Sequence, residues 1–313
     1  MNLVEILREK SITSLFQANT FRESWSNWNS EINRILTHQF SENELINLGD
    51  HLSEIFKSTS GTDGRTQSNL SGGGAAWESL VCWYINLCSI GSRLIAIKKM
   101  SLVPKPIQDA ITVNYGNFPC NTESDITLLI FPDLKEFTED YSFINLLDRE
   151  GNKIPNYSKN GELNQNLINH LVDLNFHKMG IGIIQCKTNW NDNAQIPMLW
   201  DMIYSVGGFR NRNITIGKNS YSIQNVREFS YSFVTVPSNK RGEYKPSSTS
   251  VKRVTNLSGG NYWGNPTVLN VAKSIKEIFG TNYNSAYTDG LRETIRRELK
   301  GLKSGEKYSY FNL

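Results

Sequence analysis

The feature that most restricts the fold is one short run, Gly180-Ile-Gly-Ile-Ile-Gln-Cys-Lys187. In a strand, residues two apart share a face, so Ile181, Ile183, Gln185 and Lys187 point one way while Ile184 and Cys186 point the other. The first face begins apolar and ends in an amide and an ammonium. Burying that lysine is costly unless something anionic meets it, whether a carboxylate, a metal-bound hydroxide or a phosphate. A second run, Asp125-Ile-Thr-Leu-Leu-Ile-Phe131, poses the matching question, because its opening acid shares a face with Thr127, Leu129 and Phe131. An acid and a base at two strand ends can meet at one sheet edge. A third β-rich run spans Phe229 to Pro237.

Helical patterns surround these strands. Residues 1 to about 56 carry apolar residues at helical spacing (Val4, Ile6, Leu7; Ile32, Ile35, Leu36; Leu45, Ile46, Leu48), and Ser41-Glu-Asn-Glu44 reads as a capped helix start. The Ser/Thr/Gly/Asn-rich stretch from Lys57 to Ala75 reads as a mobile loop, and a long, largely apolar helix is expected from about Ala75 to Ile90. Further helices are expected at Leu163–Leu174, at Ala194–Val206 with Pro197 in its first turn, at Val268–Phe279 and at Asp289–Lys303. Residues 133–175 form an excursion between the first two strands, and Lys245–Pro266 reads as a loop. This order of elements fits an α/β domain with a central mixed sheet flanked by helices. The expected division is an N-terminal helical region with its Gly/Ser loop, residues 1–70, and a main domain, residues 71–313.

Composition bounds the rest. With 313 residues, 38% hydrophobic and 11% aromatic, the chain is long enough to bury a large core. It holds no run of about 18 apolar residues, and its acid-bearing start does not resemble a signal peptide, so a cytoplasmic protein away from membranes is expected. Four cysteines without C-x-x-C pairing point to buried thiols rather than a disulfide framework or a zinc ribbon. The four histidines lack zinc-hydrolase spacing, and no G-x-x-x-x-G-K-[ST] cradle is present. The formal net charge of +3 is uneven: residues 240–313 hold 13 Lys+Arg against 6 Asp+Glu, an excess suited to a polyanion such as nucleic acid.

The strand-end residues match what Mg²⁺-dependent phosphodiester hydrolysis requires. Mg²⁺ takes hard oxygen ligands and keeps several waters, so one carboxylate, one further side-chain oxygen and a main-chain carbonyl suffice to hold it. Asp125 is the expected principal ligand, with the Gln185 side-chain oxygen and the Cys186 carbonyl completing the protein's share. Lys187 is expected to orient the water nucleophile and offset developing charge. Glu78, beside Val81, Cys82 and Ile85 at helical spacing, is an acid on an apolar face that needs a partner.

Asp125, Gln185, Cys186 and Lys187, within Thr122-Glu-Ser-Asp-Ile-Thr-Leu-Leu129 and Gly182-Ile-Ile-Gln-Cys-Lys-Thr-Asn-Trp190, resemble the motif of the PD-(D/E)XK nuclease superfamily, and most of all its type II restriction endonucleases. The resemblance implies a restriction-endonuclease-like core in which Glu78 supports the metal site. Three departures stand out: Ser124 replaces the motif's proline, Gln185 replaces its second acid, and 60 residues separate Asp125 from Gln185. The implied activity is sequence-specific, Mg²⁺-dependent hydrolysis of double-stranded DNA giving 5′-phosphate ends, by a homodimer, with a cognate DNA methyltransferase in the same system. Rival readings are a transposon or repair endonuclease of the same superfamily and a catalytically silent DNA-binding module.

Recognition is expected from the Lys245–Gly264 segment, which joins Lys252 and Arg253 to polar donors, Asn261 and Tyr262. Arg210, Arg212 and Arg65 are further DNA-binding candidates. Two similar loops, Asn69-Leu-Ser-Gly-Gly-Gly74 and Asn256-Leu-Ser-Gly-Gly-Asn261, are expected to bring flexible backbone close to DNA.

Overall fold

The computed structural model describes residues 1–37, 39–59, 67–120, 124–148, 150–188, 190, 194–209, 213–236 and 244–313, with residues 67–72 described as backbone only. Five helices come first: α1 (Leu3–Gln17), α2 (Asn19–Ile35), α3 (Glu42–Asn47), α4 (Leu52–Lys57) and α5 (Gln67–Leu87). α3 starts where the sequence places a cap: the Ser41 hydroxyl accepts from the Glu44 N–H, and Glu44 reaches back to the Ser41 N–H. α5 begins at Gln67 rather than near Ala75, because its backbone stays helical through Ser71-Gly-Gly-Gly74 despite the low helix propensity of glycine.

The six-stranded central sheet has the order β1-β4-β5-β8-β9-β10, formed by β1 (Leu94–Ile97), β4 (Ile126–Ile130), β5 (Gly180–Lys187), β8 (Glu228–Thr235), β9 (Asn261–Trp263) and β10 (Lys273–Ser274). β1, β4 and β5 pair antiparallel, while β5, β8, β9 and β10 pair parallel, so the sheet is mixed. A smaller sheet, β3-β2-β7-β6, joins β2 (Val113–Tyr115), β3 (Phe118–Cys120), β6 (Gly208–Phe209) and β7 (Ile214–Ile216). The three strands expected from periodicity form near their expected limits. β1 was not anticipated, since Leu94-Ile-Ala-Ile97 is too short to show a period.

Alternation in the strands divides the core. Ile126, Leu128, Ile130, Ile184 and Cys186 join a cluster with α5 and the N-terminal helices, whereas Leu129, Phe131, Ile181 and Ile183 face a second cluster. That second face is covered by α6 (Lys105–Ile111), α8 (Gln165–Leu174) and α9 (Gln195–Ser205), and by α7 (Lys135–Thr138) through Phe137. The excursion between β4 and β5 is therefore folded down, with Tyr141, Leu167 and Leu171 buried beneath the sheet. Residues 1–57 do not form a separate core: Trp25 meets Trp83 of α5 at 5.1 Å and Phe56 meets Trp77 at 5.4 Å.

The C-terminal region departs from expectation. Residues 268–279 are not one helix: Asn270 adopts positive φ in a turn closed by Val268 and Ala272, β10 follows, and Ser274 with Glu277 caps a single 3-10 turn before α11 (Ile278–Asn282). The expected loop at Lys245–Pro266 contains α10 (Thr249–Val254) and β9. α12 (Leu291–Ser304) forms as expected. Among the described residues, no helix is long and apolar enough to cross a membrane.

Candidate functional site

The β4–β5 register pairs Ile126 with Ile184 and Thr127 with Ile183. One step further along, Asp125 lies across from Gln185 at the sheet edge where β5 ends. The chain bends there, and an Asp125 carboxylate oxygen accepts the Cys186 N–H at 2.7 Å while standing 3.6 Å from the Lys187 ammonium. Both side chains are mostly shielded, with 15% of Asp125 and 23% of Lys187 exposed. Burial raises the Asp125 proton affinity above the ordinary carboxylate value, and Lys187, the Cys186 N–H and Lys98 oppose that rise.

The other half of the site comes from α5. Glu78 lies 3.2 Å from the ammonium of Lys98, the residue after β1. Lys98 also donates to the Ala75 carbonyl at 2.7 Å and the Ser79 hydroxyl at 2.9 Å. Burial pushes the Glu78 carboxyl up, the negative charge of Asp125 pushes it further, and Lys98 and Lys187 pull it down. Two carboxylates and two ammoniums thus feel one another at the end of β1, β4 and β5. Lys98 was missed by sequence reasoning, although the signal applied to Lys187, a lysine closing an apolar run, was present in Leu94-Ile-Ala-Ile-Lys98.

Gln185 shares the sheet face of Asp125 and Lys187 but turns its amide into the core. Its side chain is 0% exposed, and its amide oxygen accepts from the Tyr231 hydroxyl at 2.8 Å on the face shared with Ile181 and Ile183. The Cys186 thiol is buried against α5 and its pKa is pushed well above the ordinary value, so the residue stays a neutral thiol. A strand residue sends its N–H and C=O to the same side, so the Cys186 carbonyl opens toward Asp125, as its N–H does. The Lys187 carbonyl turns the other way and accepts from the Val236 N–H and the Thr235 hydroxyl.

Among the described residues no group of three or more His, Cys, Asp or Glu gathers to hold a metal, so a cation here would rest on two carboxylates and main-chain oxygen, a set of the kind Mg²⁺ takes. Asp125, Glu78 and the Cys186 carbonyl are all hard oxygens, and buried carboxylates with raised proton affinity gain from a cation that displaces the proton. The Gln185 oxygen is a weaker candidate, since one of its lone pairs already receives the Tyr231 hydroxyl.

The recognition candidates divide. Lys252 is exposed and Arg253 half-buried on α10, whose Val251 and Val254 share a small buried cluster with Trp190 and with Phe233 of β8. Asn261 donates to the Val271 carbonyl at 3.0 Å. Tyr262 is 1% exposed, with its hydroxyl on Asn282 at 2.6 Å, so its ring belongs to the core beside α5. Arg65, Arg210 and Arg212 lie outside the described residues. The second Leu-Ser-Gly-Gly loop is packed rather than flexible: the Ser258 N–H and hydroxyl both bind Asp201, and the Gly259 N–H donates to the Tyr231 carbonyl at 2.9 Å. Among the described residues, four C-terminal basic residues are paired, but Arg297 on Asp289 and Lys307 on Glu298 use acids of the same region, so only Lys276 on Asp50 and Arg296 on Glu42 offset the basic excess from outside it. Comparison with protein-family models and with curated protein sequences gives no match for this chain.

Proposed function

We propose that the chain is a Mg²⁺-dependent endonuclease of the PD-(D/E)XK superfamily, acting on double-stranded DNA as a type II restriction enzyme does. The observation that carries this reading is the junction of the Asp125 carboxylate, the Cys186 main chain and the Lys187 ammonium at one sheet edge, with Glu78 and Lys98 beside them. The family and the restriction role rest on the resemblance of the Asp125…Gln185-Cys186-Lys187 motif, and the metal-dependent hydrolysis rests on the kind of residues that meet.

Asp125, Glu78 and the Cys186 carbonyl would hold the metal. When bound, Mg²⁺ supplies Lewis-acid polarisation of the scissile phosphate. Lys187 is exposed enough to hold a water by one N–H while its charge offsets the negative charge growing on phosphorus-bound oxygens. Asp125 keeps that ammonium oriented, and Cys186, through its N–H, keeps Asp125 oriented. Attack by the held water on phosphorus forms the new P–O bond as the P–O3′ bond breaks, the water's proton passing to solvent and the departing 3′ oxygen taking one up, which leaves a 5′-phosphate and a 3′-hydroxyl. Lys252 and Arg253 on α10 supply phosphate contacts. In this reading two copies cut the two strands, and a cognate DNA methyltransferase protects the host's own sites.

One observation favours a second reading, a sequence-specific DNA-binding module without cleavage: the position where the motif has its second acid is an amide sealed against Tyr231. Digestion of bacteriophage DNA separates the two. The nuclease reading predicts discrete fragments with Mg²⁺ and none with a chelator. Sequence-selective binding without fragments in Mg²⁺ or Mn²⁺ would establish the second.

A further inference from the structure

Lys98 has a more specific place than a charge near a charge. It follows Ile97, which pairs with Thr127, so Lys98 leaves the sheet beside the start of β4, next to Asp125. Its neighbours of the same parity, Leu94 and Ala96, face α5, and it turns the same way. An ammonium carries three N–H donors. In Lys98 they find the Ala75 carbonyl, the Ser79 hydroxyl and the Glu78 carboxylate, all on one turn of α5. Residues 75, 78 and 79 stand at i, i+3 and i+4, so the three acceptors form one patch on the helix face turned toward the sheet.

The Ala75 and Ser79 contacts are what distinguish a mount from a simple ion pair. An ammonium held by Glu78 alone would follow that side chain wherever it rotated. Held also by a main-chain carbonyl and a hydroxyl, it is fixed to the helix and fixes Glu78 in turn. We propose that Lys98 is a positioning residue that holds Glu78 at the Asp125 edge as the second carboxylate of a divalent-cation site, reached from the α5 face of the sheet and not from the face that carries Gln185. This rests on the nuclease reading for the identity of the site, and it assigns to the strand β1 a role separate from that of Lys187. Groups that orient metal ligands in this way change metal affinity about 10- to 100-fold when removed.

The test is Mn²⁺ affinity, measured by electron paramagnetic resonance on the full chain without DNA, for the parent protein, Lys98→Met, Lys98→Arg, Glu78→Gln and the double variant Lys98→Met/Glu78→Gln. Circular dichroism on each variant checks the fold, and Lys98→Arg, which keeps the charge and donors, guards against a merely unfolded Lys98→Met. The proposal predicts that Lys98→Met weakens Mn²⁺ binding by about tenfold or more, that Lys98→Arg restores part of it, and that Lys98→Met adds nothing in the Glu78→Gln background. Unchanged or tighter binding in Lys98→Met, which would make the ammonium a bystander or a competitor for the carboxylate, overturns it. So do additive losses in the double variant. If the parent binds no Mn²⁺, the nuclease reading falls together with the proposal, whereas normal parental binding with an indifferent Lys98 removes the proposal alone.

Discussion

Asp125 is held by the Cys186 N–H and Lys187, yet it remains a buried acid with raised proton affinity. A carboxyl whose folded-state pKa lies above its unfolded value contributes stability at low pH. That contribution fades as pH rises from the ordinary value of 3.8 through the raised one. The ionised site is therefore a local cost to the metal-free protein at neutral pH. Asp125→Asn should raise the Tm at pH 7, and the difference should close as the pH falls toward the ordinary carboxylate value of 3.8; a Tm lowered at pH 7 would mean that the Lys187 pair outweighs burial. In the parent protein, Mg²⁺ should produce a similar rise by binding only the folded state. Asp125, Lys187 and Glu78 were legible from the sequence because each interrupts an apolar strand or helix face. The pairing of Gln185 with Tyr231 was not, since it depends on the β5–β8 register, which no local pattern encodes.

At the scale of elements, periodicity identified β4, β5 and β8 because each is long and apolar enough to stand out. It failed for β1, where four residues show no period, and between Val268 and Phe279, where helical spacing was overridden by the Asn270 turn and the Ser274 cap. Lys98 was lost with β1: it closes an apolar run as Lys187 does, but a run of four residues was not read as a strand. The packing of Gly259 on β8 was hidden for a different reason. A Cβ there would stand 2.5 Å from the Tyr231 carbonyl oxygen, so only glycine allows the loop after α10 to close on the sheet. Gly259→Ala should destabilise the fold by about 1–3 kcal/mol, read as a lower urea midpoint with unchanged slope. An unaffected midpoint would mean that the loop yields without strain.

α1 is tied to β1 by Arg8, which is fully buried, pairs with Glu5 at 2.9 Å and donates to the Leu94 and Ser92 carbonyls at 2.8 and 3.1 Å. Glu5 also accepts the Gly91 N–H at 2.8 Å, closing the turn between α5 and β1. This N-terminal contact therefore sets the relation between the helix that carries Glu78 and the strand that leads to Lys98. Removing one member of a buried ion pair leaves the other uncompensated, so Glu5→Ala should cost about 3–5 kcal/mol in urea unfolding. A loss below about 1 kcal/mol, the range of an exposed pair, would show that Arg8 finds water or another acceptor instead. The sequence division at residue 70 did not foresee this continuity, because helical periodicity says which face is apolar and not what it meets.

The most direct measurement compares the parent protein with Lys187→Ala on the same bacteriophage DNA in Mg²⁺, after circular dichroism has shown both to be folded. Lys187 is partly exposed and sits at a strand end, so its loss should leave the fold intact while slowing cleavage by a factor on the order of 10² or more. The account predicts discrete fragments from the parent and almost none from the variant. Equal cutting by both would contradict it, and would move the chemistry away from the edge where Asp125 and Lys187 meet.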